Sequence, residues 1–258
     1  MILVFSDVHL GYDLGETHRC NREDFLTFLE SYQEKKIDDL VILGDFFDFW
    51  RSNNARIVED NSDIITQLTN LKADRIHYVA GNHDYYILDL NEKYEINKKI
   101  AFSKYLRLED NGESFFFIHG YELESILWEF PASLEMYETF SKEMCFNKDT
   151  SGQTLSKIWS WYENIKKYRK RRFKKEMKKN PKNRNINEVK ELSLSNGKNF
   201  LLGMKPDETL VFGHTHEPFH EKDKKVANTG SWINDIDEEY QQNSYLEIIN
   251  GEIKLQYF

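Results

Sequence analysis

The chain has 258 residues, with 35 Lys/Arg against 44 Asp/Glu for a formal net charge of −9, 40% hydrophobic and 14% aromatic residues, and only 12 Gly and 4 Pro. That length suits one domain, or one domain carrying a large insertion, and the composition excludes a disordered or fibrous chain. No apolar run approaches the ~20 residues of a membrane span, and the start, Met1-Ile2-Leu3-Val4-Phe5-Ser6-Asp7, lacks the basic flank and length of a signal peptide, so a soluble cytoplasmic protein is expected.

In chain order the first strand is predicted over 1–5, followed by a helix over 22–36 in which Phe25, Leu26, Phe28, Leu29 and Tyr32 fall at helical spacing. The run 39–43, apolar from Leu40 onward and stopped by Gly44, reads as a strand buried on both faces. A second helix fits 60–72, with Ile64, Ile65, Leu68 and Leu71 on one stripe, and a third strand spans 76–80 before Gly81. A helix over 94–104 and a strand over 114–118, ending at His119, complete an alternation that argues α/β with parallel strands. The span 122–200 holds no convincing strand: apolar residues recur every three or four positions from Leu127 to Met144 and from Ile158 to Met177, which predicts two or more helices separated by the polar stretch 147–153. Strands return at 209–212, 225–227, 244–249 and 252–257.

Charge is unevenly spread. Residues 163–190 hold 13 Lys/Arg against three Glu, a local balance of +10 that leaves −19 on the rest of the chain. A basic segment on an acidic body points to an anionic partner there, or to a solvated charged helix. Cys20 and Cys145 fit no zinc spacing and read as isolated structural thiols of a reducing compartment.

The chemistry lies at the strand ends. Five of the eight histidines fall in five short motifs, each closing an apolar run: Asp7-Val8-His9, Gly44-Asp45-Phe46-Phe47-Asp48, Gly81-Asn82-His83-Asp84, His119-Gly120 and Gly213-His214-Thr215-His216. In a mostly parallel sheet, ligands sit beyond the carboxyl ends of the strands, so these side chains converge. Carboxylate, imidazole and amide together suit Mn, Fe, Zn or Co better than a thiolate-seeking metal. Seven such ligands are too many for one ion and right for two sharing a bridging carboxylate. Two ions ~3.5–4 Å apart can hold a phosphoryl group and acidify a water, the chemistry of phosphate-ester hydrolysis.

The motifs in this order resemble the calcineurin-like metallophosphoesterase superfamily, over residues 1–121 and 204–258. The resemblance implies a four-layer α-β-β-α sandwich with a dinuclear site on one rim, and leaves the helical, partly basic insertion at 122–203 outside it. It implies that Asp7, His9 and His216 hold one divalent ion, that Asn82, His119 and His214 hold the other, and that Asp45 bridges, with manganese the expected metal. It further implies that His83 donates to the phosphoryl group or the leaving oxygen, that Asp84 orients His83, and that Asp48 stands behind the ligands. Ser6 to Gly11, Gly44 to Trp50, Gly213 to Pro218 and Asn228 to Trp232 are similar to the UDP-2,3-diacylglucosamine hydrolase group, which carries a helical cap over the lipid part of its substrate between its last two histidine motifs. His83 departs from that group, where Arg is usual. The expected substrate is therefore a phosphodiester or pyrophosphate in a nucleotide- or lipid-linked molecule, with an anionic membrane surface as a partner of the basic segment. The start of the chain also resembles a double-strand-break repair nuclease, which makes a DNA nuclease the competing enzyme and nucleic acid the competing partner. A general phosphomonoesterase and a non-catalytic scaffold complete the alternatives.

Overall fold

The computed structural model describes residues 1–11, 13–14, 17–18, 20–51, 53–127, 134–146, 181–233 and 241–258. Its strands are β1 (Ile2–Phe5), β2 (Asp13–Leu14), β3 (Thr17–His18), β4 (Ile37–Leu43), β5 (Ala73–Val79), β6 (Ile100–Ser103), β7 (Tyr105–Asp110), β8 (Glu113–Ile118), β9 (Thr209–Phe212), β10 (Phe219–Glu221), β11 (Val226–Asn228), β12 (Ser244–Ile249) and β13 (Glu252–Tyr257). Its helices are α1 (Arg22–Ser31), α2 (Asn54–Asp60), α3 (Ser62–Asn70), α4 (Ile87–Tyr94), α5 (Tyr121–Leu127), α6 (Leu134–Phe146), α7 (Pro181–Leu194) and α8 (Lys198–Leu202).

Two mixed sheets form the centre. The first runs β13-β12-β1-β4-β5-β6 and the second β10-β11-β9-β8-β7, with β2 and β3 a separate hairpin. Strands β1, β4, β5 and β6 are mutually parallel, as are β8, β9 and β11, while β12, β13, β7 and β10 join by antiparallel pairings. The expected parallel arrangement therefore holds for these seven strands, with β6 at the edge of its sheet. The runs of β1 and β4 are buried almost throughout, as central parallel strands are.

The alternation of side chains sorts residues into layers. Ile2, Val4, Val41, Leu43, Val79, Phe115, Phe117 and Val211 fill the space between the two sheets. Their neighbours Leu3, Phe5, Leu40, Ile42, Ile76 and Tyr78 face the other way, onto Phe25, Phe28 and Leu29 of α1 and Ile64 and Leu68 of α3. On the opposite side Phe116, Ile118, Leu210, Phe212 and Val226 meet Leu123 of α5 and Val189 of α7. Helices, sheet, sheet and helices form the four layers, each apolar side chain so buried contributing about 1.5–3 kcal/mol.

Several elements differ from expectation. The helix expected over 60–72 is two helices, α2 and α3, broken at Asn61, whose amide donates to the Ile57 carbonyl and accepts from Arg22 Nε. The helix expected over 94–104 lies earlier, at α4; Glu95 stops it in the left-handed region (φ 45°), and the chain continues as β6. Strands β2, β3, β6, β7 and β10 are additional, with β6 and β7 along the chain between that helix and β8. The helical stretch 158–177, the polar stretch 147–153 and most of the basic run lie outside the described residues. Among the described residues no helix is long and apolar enough to cross a membrane.

Candidate metal centre

Parallel pairing brings the carboxyl ends of β1, β4, β5, β8 and β9 to one rim, and the five motifs start within three residues of those ends. Three side-chain groups there have ligand-type atoms within 4.8 Å of one another: Asp7, His9 and His216; Asp45, His119 and His214; and His9, Asp48 and His83. All lie in or against the interior, with Asp7, Asp48 and His119 fully buried.

Asp45 belongs to the second group and also reaches the first. Its Oδ2 is 3.2 Å from His119 Nε2 and 3.7 Å from His9 Nε2, while its Oδ1 accepts the His83 amide at 2.8 Å. Asp7 Oδ1 is 3.2 Å from His216 Nε2, 3.8 Å from His9 Nε2 and 4.0 Å from His119 Nε2. The other Asp7 oxygen is held from behind by the Ser6 hydroxyl and by the His214 amide at 2.9 Å. His119 Nδ1 donates to the Leu43 carbonyl at 2.9 Å, which leaves Nε2 as the nitrogen facing Asp45.

Backbone conformation carries the same signal. Asp7, His9, Asp45, His214 and His216 all have positive φ, between 49° and 64°. Such backbone costs a non-glycine residue of order 1–3 kcal/mol and persists where surrounding structure over-determines it. Here the turn after each strand tip aims a side chain at one point. The tips also crowd: a Cβ on Gly81 would overlap the Asp45 carboxylate and amide, and one on Gly44 would lie 2.5 Å from His119 Nδ1. Glycine at both positions lets two strand ends approach within contact.

The arrangement fits metal ions on two counts. Asp7 Oδ1, Asn82 Oδ1 and His119 Nε2 are buried and make no hydrogen bond, a cost of about 1–3 kcal/mol each that coordination would remove. The carboxylates also draw positive charge into the rim. Burial opposes charging His119, yet Asp45 and Asp7 push its pKa up to about 10; burial likewise opposes charging His9, and Asp48, Asp7 and Asp45 raise it to about 10. Protons that a carboxylate cluster holds this firmly are the ones metal binding displaces. Six of the seven expected ligands, Asp7, His9, Asp45, His119, His214 and His216, fall in these groups, and Asn82 follows β5 with its Oδ1 buried and without a hydrogen bond.

His83 stands beside the ligands. Its ring meets the His9 ring edge-on at 4.9 Å and lies flat against Trp50, with centroids 4.2 Å apart and planes at 18°. The carboxylate at its Nδ1 is that of Asp48, at 3.0 Å. This corrects the expectation that Asp84 orients His83. Asp84 points back into the loop, accepting the amides of Gly81 at 2.7 Å and Phe46 at 2.8 Å and the Tyr78 hydroxyl at 2.5 Å. Burial and the nearby Asp45 charge raise it to about 6. Asp84 therefore ties the Asn82-His83 loop to the Asp45 loop, and Asp48, also paired with Arg51, takes the role assigned to it.

Two contributors lie outside the motifs. Glu124 on α5 faces His214 Nε2 at 2.9 Å, and Lys190 on α7 pairs with Glu217, the residue after His216. An acidic residue five positions past His119 is the only sequence mark of the first, and nothing in the sequence marked the second.

The profile of calcineurin-like phosphoesterases matches residues 1–218. No curated protein matches the chain. Among solved structures, an archaeal phosphodiesterase is similar at 14% identity and TM-score 0.45, covering 100% of this chain and 99% of its own. Yfce, a phosphoesterase from E. coli, is similar at 15% identity and TM-score 0.42, covering 96% of this chain and 88% of its own. A Vps29 variant from Entamoeba histolytica is similar at 13% identity and TM-score 0.40, covering 99% of this chain and 96% of its own.

Proposed function

The chain belongs to the calcineurin-like phosphoesterase family, and on that premise we propose that it is a two-metal hydrolase of phosphodiester or pyrophosphate bonds in a nucleotide- or lipid-linked substrate. The observation that carries this reading is the reach of Asp45, grouped with His119 and His214, to His9 of the group Asp7, His9 and His216 at the same rim. Asp7, His9 and His216 would hold one ion and Asn82, His119 and His214 the other. Bound there, two divalent ions, manganese foremost, supply Lewis acidity at a phosphoryl oxygen and an acidified water.

The chain's own residues do the rest. Asp45 contributes negative charge to both groups and fixes the His83 loop through its amide. His83, held at Nδ1 by Asp48, has Nε2 left as a donor to an oxygen that gains charge as the ester bond breaks. Trp50 limits that ring to one plane. The likeness to UDP-2,3-diacylglucosamine hydrolases supports a pyrophosphate bond next to an acylated group, and His83 in place of Arg supports a different substrate within that class. The basic segment 163–190 supports an anionic amphiphile or membrane surface as its partner.

The test is a single incubation of the manganese-loaded protein with a UDP-linked acylated sugar, a dinucleoside pyrophosphate, single- and double-stranded DNA and a phosphomonoester, with products identified by mass spectrometry. Pyrophosphate cleavage, fastest on the acylated substrate, is expected. DNA cleavage alone would replace this reading with a nuclease, and a protein that takes up no metal would replace it with a binding scaffold.

A further inference from the structure

His9 Nδ1 lies 3.7 Å from Asp48, and His9, His216 and His119 turn their Nε2 atoms toward carboxylates of the ligand set itself. His119 and His214 each give one ring nitrogen to an acceptor outside it: His119 Nδ1 to the Leu43 carbonyl, and His214 Nε2 to Glu124 Oε2 at 2.9 Å. An ionised carboxylate only accepts, so Nε2 of His214 carries the hydrogen and Nδ1 is left bare.

Glu124 is not a solvated side chain that happens to reach this ring. Its side chain is 22% exposed, and the Tyr137 hydroxyl donates to the same Oε2 at 3.3 Å. Tyr137 belongs to α6 and is itself fixed, its ring stacked on Tyr121 at 5.5 Å with planes 1° apart. Tyr121 begins α5, the helix that carries Glu124, and lies 6.1 Å from the His119 ring. A tyrosine, a glutamate and a histidine thus form a relay from a helix outside the five motifs to a single candidate ligand.

We propose that Glu124 is a positioning residue for the second ion: it fixes the His214 ring and its tautomer so that Nδ1 faces the metal shared with Asp45, Asn82 and His119. The proposal rests on the two-metal reading above. It makes occupancy of one ion, and not the other, depend on the helices between His119 and β9. Carboxylate partners of ligating histidines act in this way generally, and their loss costs ~10–100-fold in affinity.

The test compares wild-type protein with Glu124→Ala and Glu124→Gln, stripped of metal and titrated with manganese. Stoichiometry and affinity are read by calorimetry and elemental analysis, unfolding of the metal-free forms by scanning calorimetry, and the His214 tautomer by nitrogen-15 NMR. Glu124→Ala is expected to weaken one class of manganese site by about 10–100-fold and leave the other unchanged. Glu124→Gln is expected to recover most of that loss, because its amide oxygen still accepts from Nε2. The metal-free melting temperatures are expected to agree, with Nε2–H seen in wild type and Gln and a tautomer mixture in Ala. Two unchanged classes in Glu124→Ala overturn the proposal, and so does a Gln variant as impaired as Ala, which would make the carboxylate a ligand in its own right. Should Glu124→Ala fail to fold, the Gln variant and the wild-type tautomer decide alone. Wild-type protein that binds fewer than two ions brings down the two-metal reading itself, and this is known before any substitution is made.

Discussion

Strand β4 carries a histidine-facing carboxylate near its start and another just past its end. At the start, Asp39 receives His77 Nε2 at 2.7 Å and Arg75 Nη2 at 2.6 Å. Past the end, Asp45 faces His119 and His9. The chemistry of the pairs is alike and the settings are not. Asp39 sits in ordinary strand backbone, opposite Arg75 in the parallel register. Asp45 has φ 49° and borders buried ligand atoms of Asn82 and His119 that no hydrogen bond satisfies. A histidine–carboxylate contact alone is therefore a structural device. Strained backbone, unsatisfied atoms and convergence from five strand ends are what mark the rim as a site.

The comparison predicts opposite consequences for matching substitutions. Asp45→Asn is expected to abolish turnover and lower manganese stoichiometry while the protein stays folded; a variant that turns over phosphoester at the wild-type rate refutes Asp45 as the shared ligand. His83→Ala is expected to cut turnover by about 10²–10⁴-fold with both ions retained, and metal loss in that variant would recast His83 as a ligand. Adding metal to the stripped protein should raise its melting temperature, by about 2.7 kcal/mol of stability at a hundredfold excess over Kd. Asp39→Asn should leave turnover and metal content alone and cost about 1 kcal/mol of stability at neutral pH.

That last effect has a defined pH window. Burial opposes the Asp39 charge, but His77 and Arg75 prevail and hold its pKa below the ordinary carboxylate value. A depressed folded pKa contributes stability above the unfolded value, about 3.9, and the contribution is lost as pH falls through the folded one. The deficit of Asp39→Asn should therefore be full at pH 7 and vanish in strong acid. A deficit that persisted there would mean lost packing in place of lost charge.

Much of the rim was legible because its signals are local. An apolar run followed by glycine or a polar turn marks a strand tip, and parallel strands gather their tips whatever the rest of the chain does. Strands β6 and β7 were not legible. Ile100–Ser103 is four residues without alternation, and Tyr105–Asp110 is an edge strand with one half-exposed face. The exchange of Asp84 for Asp48 against His83 depended on where the loop backbone sends each carboxylate, and spacing does not encode that. Glu124 reads as one acidic residue in an amphipathic helix until the turn at Gly120 lays α5 beside the His214 loop. Contacts within a strand tip can be read from neighbours in sequence. Contacts between a tip and a helix 90 residues away require the fold.

The flat stack of Trp50 on His83 gives the site an optical reporter. Indole emission depends on what its face touches, so light from Trp50 reports how the His83 ring is seated. That emission should change when metal or a phosphate ester moves the ring. Trp232, fully buried among Phe25, Phe28 and Phe258, lies in the core away from this stack. The difference between wild type and Trp50→Phe isolates the reporter, so events at the rim can be followed without a label.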